Sequence, residues 1–323
     1  MIGIGFLGLG NIAAMHREAI LPRSDIVLVA GHTRNQERLA SLSQQWGFKP
    51  HGSLESLLSD RDVDAVVVLT PSRLHFEQAR QALDAGKHVL VEKPVALRGD
   101  EIAQLRSEAQ SRGLVCMPGH NAVYRPALQA ARERIDNGSL GQPYFAQVSL
   151  SLPIPDSEFL GWRRHAAEGG SALVDSGTHR LYQTIYLMGP PSQVFAYTEH
   201  YVQPLDGEDV ALLGLRFASG ALGVVFQSWA SLDTSNTPEL RVLGTRGTLW
   251  LSDQLYLNGH AIAPQTPRPE TFVQMYGHFA ACVRGKATPL STLDDAELTA
   301  RTIEAAYRSA KEGSLVDIRP VQS

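Results

Sequence analysis

The chain has 323 residues, of which 43% are hydrophobic, so it is long enough to bury one large core or two. Its 29 basic and 33 acidic side chains give a net charge of −4 and form no long block of one sign, which argues against nucleic acid and anionic membrane as partners. The apolar runs are strand-sized, well below the ~20 residues of a membrane helix. Because the N-terminus lacks a basic signal region and the cysteines, Cys116 and Cys282, form no CxxC pair, we expect a cytoplasmic setting.

The first part of the chain alternates strands with helices. Strands are predicted at 2–7, 26–30, 65–69, 89–91 and 114–117, and helices at 11–20, 37–46, 54–58, 74–85 and 99–111. The strand at 65–69 is apolar throughout, as expected where helices cover both faces of a parallel sheet. Repeated strand–helix units of this length predict a doubly wound parallel sheet, which we assign to a first domain at 1–120.

The rhythm changes after residue 125. A helix is predicted at 126–137, followed by strands at 144–152, 193–200, 210–217, 221–229, 239–243, 248–251 and 254–257, and by helices at 272–284 and 294–312. Short turns such as 218–220 favour antiparallel hairpins. We therefore predict an α+β domain at 121–323, built on a large, mostly antiparallel sheet.

A glycine-rich loop joins the first strand to the first helix. The sequence Gly8-Leu9-Gly10-Asn11-Ile12-Ala13 has the form G-x-G-x-x-A. The first glycine permits a tight turn, the second lets the backbone approach a pyrophosphate, and the small third residue lets the helix pack against the strand. The helix N-terminus then offers free N–H groups to the phosphates. The loop predicts a dinucleotide site at Gly8, Gly10, Asn11 and Ile12.

The residues about 20 positions further on indicate which dinucleotide binds. An NAD site usually has Asp or Glu there, which holds the ribose 2′-hydroxyl. This chain has Thr33 followed by Arg34. Because no acid would repel a 2′-phosphate and a guanidinium can pair with it, NADP(H) is favoured over NAD(H). In the alternative interpretation, Arg34 is a solvated side chain and Thr33 accepts either cofactor.

Two longer motifs carry a family resemblance. One is Thr70-Pro71-Ser72-Arg73-Leu74-His75, followed after a helix by a strand that ends in Glu92-Lys93-Pro94, and the other is Gly169-Gly170-Ser171-Ala172-Leu173-Val174-Asp175-Ser176-Gly177-Thr178-His179. With these motifs the chain resembles the Gfo/Idh/MocA oxidoreductases, the glucose–fructose oxidoreductase and inositol dehydrogenase family. Ser72 stands where that family usually has Asn. His16 and the stretches 244–248 and 305–309 also fit, so the resemblance covers essentially the whole chain.

The resemblance implies an N-terminal Rossmann domain and a C-terminal domain with an open-faced sheet. It also implies a nicotinamide cofactor and hydride transfer to or from a hydroxyl-bearing carbon of a sugar, inositol or related polyol. It implies homodimers or homotetramers, commonly built through the exposed sheet face. We expect further cofactor contacts from Thr70, Pro71, Ser72, His75, Glu92 and Lys93.

Three side chains are candidates for the proton chemistry. Lys93 follows a strand at the sheet edge where doubly wound folds bind ligands, and its ammonium suits a developing alkoxide. Asp175 and His179 are four residues apart and share one face if the segment is helical. His179 is then a candidate general base, which Asp175 would orient unless it contacts a substrate hydroxyl itself. The sequence leaves open whether Lys93 or His179 carries the proton, and whether the bond before Pro94 is cis.

Weaker candidates for substrate contact lie near these residues. They are His120, Asn121, Tyr124, Arg125, Trp162, Arg163 and His165. A tryptophan can stack on the C–H face of a sugar and an arginine can donate to hydroxyls, whereas the alternative for each residue is packing between domains. No HExxH motif or Cys/His cluster predicts a metal.

Three other functions stay open at this point. A glycosidase of the same family would use tightly bound NAD for transient oxidation, against which Thr33 and Arg34 count. A non-enzymatic dinucleotide sensor would not need to keep Lys93, Asp175 and His179 together. A reductase of an aromatic diol or a tetrapyrrole would need an apolar substrate pocket.

Overall fold

The computed structural model describes residues 1–159, 161–232 and 239–321. Within them the strands are β1 (Ile2–Leu7), β2 (Ile26–His32), β3 (Lys49–Pro50), β4 (Ala65–Val68), β5 (His88–Val91), β6 (Cys116–Pro118), β7 (Pro143–Ser151), β8 (Pro191–Glu199), β9 (Val210–Phe217), β10 (Leu222–Ser228), β11 (Leu240–Gly244), β12 (Thr248–Leu251), β13 (Gln254–Leu257), β14 (His260–Pro264) and β15 (Val316–Asp317). The helices are α1 (Asn11–Ile20), α2 (Gln36–Trp46), α3 (Leu54–Leu58), α4 (His75–Asp84), α5 (Gly99–Arg112), α6 (Pro126–Asp136), α7 (Thr178–Met188), α8 (Arg268–Val283) and α9 (Leu293–Glu312). None of the helices so described is both long and apolar enough to cross a bilayer.

The chain forms two compact units. The first comprises Met1–Ala96, Asp100–Asn121 and Pro267–Leu293. The second comprises the described residues of Leu97–Gly99, Ala122–Thr266 and Asp294–Ser323. Helix α8 thus belongs to the first unit although it follows most strands of the second along the chain. The single division after residue 120 stays a prediction.

The first unit contains a parallel sheet of six strands in the order β3-β2-β1-β4-β5-β6. Every residue of β1 and β4 is buried, because helices cover both faces of such a sheet. Strand order reverses between β1 and β4, and ligands of doubly wound sheets bind outside the carboxyl ends of the strands at this switch point. The predicted doubly wound sheet is confirmed.

The second unit contains a sheet of nine strands in the order β14-β13-β12-β11-β7-β10-β9-β8-β15. All neighbours are antiparallel except β7 and β10, which run parallel from Phe145 and Leu222 to Ser151 and Ser228. Alternate residues of β9 are buried, and they pack in one core with apolar residues of α7 and α9. The predicted α+β fold with a mostly antiparallel sheet is confirmed.

The structure adds elements that the sequence analysis did not predict. Helix α7 is one, although Leu181 and Ile185 are spaced for a helix and both lie in the core. Strands β3 and β15 have two residues each, too few for an alternation, and β14 (His260–Pro264) was also not predicted. Helix α8 begins four residues earlier than predicted, since a proline in its first turn is compatible with a helix start.

Candidate active site

The glycine-rich loop has the backbone that a dinucleotide needs. Gly8 has φ 93°, and a Cβ there would lie 2.7 Å from the carbonyl oxygen of Leu69. Gly10 precedes α1 without a side-chain cap, and nothing lies within 4 Å of the position its Cβ would take. Asn11 is exposed and Ile12 half-buried. The uncapped start of α1 and the open space over Gly10 fit a pyrophosphate.

Two arginines lie at the ribose end of this loop. Thr33 and Arg34 follow β2, where Thr33 is half-buried and Arg34 exposed. Four residues on, Arg38 of α2 donates from its Nε to the carbonyl of Leu9, inside the glycine-rich loop. Arg38 was not identified from the sequence, because it lies in the first turn of α2 and its contact with the carbonyl of Leu9 depends on the folded loop.

The loop after β4 is fastened to the loop after β5. His75 is buried, and its Nδ1 and Nε2 lie 2.7 Å from the carbonyl oxygens of Pro94 and Thr70 respectively. Burial lowers the pKa of His75, although both hydrogen bonds oppose this. Thr70 and Pro71 are half-buried and Ser72 is buried. His75 therefore holds the two loops in one arrangement.

A buried hydrogen-bond chain ends at Lys93. The carboxylate of Glu92 accepts from the backbone N–H of Lys93 at 2.9 Å, and its other oxygen lies 2.9 Å from Nε2 of His16. Nδ1 of His16 lies 2.8 Å from the hydroxyl of Tyr276, which is contributed by α8. Lys93 is half-buried and precedes a cis peptide bond to Pro94.

The pKa of Glu92 fixes which group donates in its hydrogen bond with His16. Burial raises the pKa of Glu92, but the hydrogen bond from His16 and nearby positive charge outweigh it, so the pKa is lowered and the group is a carboxylate. Burial raises the pKa of Tyr276 well above its usual value, so its hydroxyl stays protonated. Because a carboxylate only accepts, Nε2–H of His16 donates to Glu92. Tyr276, 260 positions from His16, was not identified from the sequence.

The Gly169-Gly170 pair is required by a close backbone approach. Gly169 has φ 88°, and a Cβ on Gly170 would lie 2.3 Å from the carbonyl oxygen of Arg163. The chain then enters a π-helical turn, Ala172–Gly177, which contains Asp175. His179 lies in the first turn of α7. Asp175 therefore lies in a π-helical turn and His179 in the α-helix that follows it, and the shared face of the two side chains stays a prediction.

The structure brings Asp175 together with two of the weaker candidates. Nε of Arg163 donates to the carboxylate of Asp175 at 2.7 Å, and Nη1 donates to Glu158 at 2.8 Å. The Arg163 guanidinium also lies 5.0 Å from the ring centre of Trp162. Asp175 and its arginine thus form one polar cluster with an aromatic ring beside it.

The remaining candidates differ in burial and in partners, and their contact with substrate stays a prediction. Burial lowers the pKa of His120 to about 3, so its ring is neutral. The amide of Asn121 donates to Thr271 at 2.8 Å, and Tyr124 is buried. Arg125 forms an ion pair with Glu239 at 2.8 Å, and Nδ1 of the exposed His165 lies 3.2 Å from the carboxylate of Asp206. Lys93 belongs to the first unit, whereas Asp175 and His179 belong to the second.

Comparison with known proteins identifies related chains. The Gfo/Idh/MocA model described as "Oxidoreductase family, NAD-binding Rossmann fold" matches residues 2–120, and that described as "Oxidoreductase family, C-terminal alpha/beta domain" matches residues 132–318. The scyllo-inositol 2-dehydrogenase (NAD(+)) of Bacillus subtilis (strain 168) is 27% identical, covering 97% of this chain and 95% of the relative. The D-xylose 1-dehydrogenase (NADP(+)) 2 of Haloferax volcanii is also 27% identical, covering 97% and 99%. The crystal structure of the WlbA dehydrogenase from Bordetella pertussis, in complex with NADH and UDP-GlcNAcA, superposes with a TM-score of 0.89 at 26% identity and 99% coverage of both chains.

Proposed function

The chain belongs to the Gfo/Idh/MocA oxidoreductase family, and on that premise we propose that it transfers a hydride between NADP(H) and a hydroxyl-bearing carbon, or its ketone, of a sugar, inositol or related polyol. The predicted family is thereby confirmed. The observation that carries the proposed reaction is the Glu92-Lys93 turn. It follows a central strand of the parallel sheet and is fixed by buried hydrogen bonds in the same unit as a glycine-rich loop suited to a dinucleotide.

The proposed division of labour follows from the chemistry of each side chain. A bound nicotinamide cofactor supplies or accepts the hydride. Lys93 hydrogen-bonds the reacting oxygen and stabilises the negative charge that develops on it. In oxidation the hydroxyl proton passes to one base, either His179 or Lys93, and in reduction the same group returns it. Asp175, held by Arg163, orients His179 or a substrate hydroxyl.

The preference for NADP(H) rests on the side chains after β2. Thr33 and Arg34 bring no carboxylate to the ribose, and Arg38 adds a second guanidinium beside the glycine-rich loop. A 2′-phosphate carries about two negative charges, which suit two arginines. The relatives named for NAD(+) and for NADP(+) are both 27% identical to this chain. The preference between the two cofactors is therefore argued from these side chains alone.

We also infer a homo-oligomer that assembles through the outer face of the nine-stranded sheet. Tyr197 of β8 pairs in register with Leu212 of β9, and both are exposed, as is Leu222 of β10. Exposed apolar side chains on one sheet face are typical of an association surface. Cys116 and Cys282 are buried free thiols, which suits the expected cytoplasmic setting.

The direct test of the Lys93 role is Lys93→Ala with Lys286→Ala as control, since Lys286 is an exposed lysine of the same unit. Steady-state turnover and cofactor affinity are measured on both. We expect Lys93→Ala to lose at least ~100-fold in kcat, because acid–base and alkoxide-stabilising groups contribute that much. Cofactor affinity should change little, and the control should match the wild type. Near-normal turnover of Lys93→Ala would contradict the assignment.

A further inference from the structure

The π-helical turn that contains Asp175 is capped by a residue from a distant loop. The first N–H groups of a helix have no partner inside it. Here the N–H of Ala172 donates to the backbone carbonyl of Glu208 at 3.0 Å, and that of Leu173 donates to the Glu208 carboxylate at 2.9 Å. The next amide, that of Val174, donates to the hydroxyl of Ser171 at 3.2 Å. Glu208 therefore satisfies two of three successive amides from outside the turn.

Tyr307 of α9 closes these contacts into a ring. Its hydroxyl lies 3.0 and 3.1 Å from the two carboxylate oxygens of Glu208 and 2.9 Å from the hydroxyl of Ser171. Burial, with the charge of Glu208 second, raises the pKa of Tyr307 well above its usual value, so its hydroxyl stays protonated and donates to Glu208. The Ser171 hydroxyl is then the donor to Tyr307. Val174, Ser171, Tyr307, Glu208 and Leu173 form one closed hydrogen-bonded ring.

The hydrogen-bonded ring is buried and closely packed. Glu208 is 8% exposed, and a Cβ on the preceding Gly207 would lie 3.0 Å from the carbonyl oxygen of Gly170. The other end of the turn is held by Trp229, whose Nε1 donates to the hydroxyl of Ser176 at 2.9 Å. The turn is thus fixed on both sides of Asp175.

We propose that Glu208 and Tyr307 are positioning residues, which set the π-helical turn and so place Asp175 and the start of α7 with His179. The inference rests on the proposed function, in which Asp175 and His179 act on the substrate. It also gives a physical role to the motif Ala305-Ala306-Tyr307-Arg308-Ser309. Tyr307 of this motif contributes its hydroxyl to the hydrogen-bonded ring. Displacing a reacting group by ~1 Å can cost up to ~100-fold in rate, so the arrangement of this turn has kinetic consequences.

The experiment compares Tyr307→Phe with Tyr256→Phe. Each removes one tyrosine hydroxyl that donates to a carboxylate in the second unit, but Tyr256 donates to the exposed Asp253 at 3.2 Å, away from the turn. Amide hydrogen exchange of the peptide 171–179, kcat and KM for the substrate, and cofactor affinity are measured on both. For Tyr307→Phe we expect exchange to rise ~10-fold and kcat to fall ~10- to 100-fold at unchanged cofactor affinity. The control should show none of these changes.

A second pair of variants tests Glu208 and also serves if Tyr307→Phe does not fold. Glu208→Gln keeps a side-chain carbonyl oxygen for the N–H of Leu173, whereas Glu208→Leu removes the side-chain acceptor and keeps only the backbone carbonyl that accepts from Ala172. We expect Glu208→Gln to keep a several-fold higher kcat than Glu208→Leu. Its amide exchange in the peptide 171–179 should also be slower than that of Glu208→Leu. Equal losses for the two substitutions would contradict the role of the acceptor.

The outcomes separate this inference from the proposed function. Faster exchange with unchanged kcat would overturn the positioning role, because the ring would then be only structural. Unchanged exchange would overturn it regardless of activity. If the wild type turns over no sugar or polyol, the proposed function fails, and the exchange of 171–179 alone decides whether Glu208 and Tyr307 fix the turn.

Discussion

Replacing His16 by leucine should remove a hydrogen-bond donor from the buried carboxylate of Glu92 in the first unit. His16 has no exposed surface, and Glu92 is 7% exposed. The substitution removes the Nε2–H that donates to Glu92 at 2.9 Å and the Nδ1 that lies 2.8 Å from the hydroxyl of Tyr276. Leucine is close in size to histidine, so the change removes polar partners without opening a large cavity.

The size of the effect follows from the burial of this pair. Leaving a buried acceptor without its hydrogen-bond donor costs about 1–3 kcal/mol, and more where the acceptor is charged, as Glu92 is. The pKa of Glu92 is lowered in the fold, so its stabilising contribution is present above the ordinary carboxyl pKa and is lost as pH falls through the folded pKa. Without His16, the hydrogen bond and the charge from Lys93 still lower the pKa of Glu92, but the largest influence that opposes burial is lost, so the pKa shifts upward and the group protonates more readily as pH falls. The loss of stability in His16→Leu should therefore be largest near neutral pH and smaller at about pH 5.

The assay is urea denaturation of the cofactor-free protein at about pH 7.5 and about pH 5, with His260→Leu as the control. His260 is exposed on β14, so its substitution should change the free energy of unfolding by less than about 0.5 kcal/mol. A loss below about 1 kcal/mol for His16→Leu, or a loss that is the same at both pH values, would refute the reasoning.

Three further predictions concern the cofactor, the substrate side and the assembly. Arg34→Ala and Arg38→Ala should each weaken NADP(H) binding about 10-fold more than NAD(H) binding, with the exposed Arg61→Ala as control; equal losses in a fluorescence titration would remove the cofactor argument. Asp175→Asn keeps the side-chain shape but loses the charge paired with Arg163, so kcat should fall ~10- to 100-fold at unchanged cofactor affinity, and unchanged kcat would contradict the role of Asp175. Leu212→Glu places a charge on the exposed sheet face and should convert the oligomer to monomers in analytical ultracentrifugation, which a retained oligomer would contradict.

The fold could be predicted where local patterns decide it. The apolar run at Ala65–Val68 needs no partner to be recognised as a buried strand, and Gly8 permits the tight turn before α1 by its lack of a side chain. Lys93 could be singled out because a strand end in a doubly wound sheet is itself a functional position. Local sequence was sufficient in each of these cases.

The rest depends on contacts that local sequence does not specify. The partner of His16 is 260 positions away, and Glu208 is 35 positions from the amide that it caps. The π turn at Ala172–Gly177 differs from an α-helix by one inserted residue per turn, which no periodicity of so short a segment reveals. Such features follow from packing of the complete fold, so they had to be observed.

The most direct test of the proposed reaction is the absorbance of the reduced cofactor, followed while the protein is offered a panel of sugars, polyols and keto-sugars with each of NAD(H) and NADP(H). We predict that at least one hydroxyl compound reduces the oxidised cofactor, or that its ketone oxidises the reduced one, faster with NADP(H), and that Lys93→Ala abolishes the change. A protein that binds the cofactor but transfers no hydride with any compound of the panel would contradict the account.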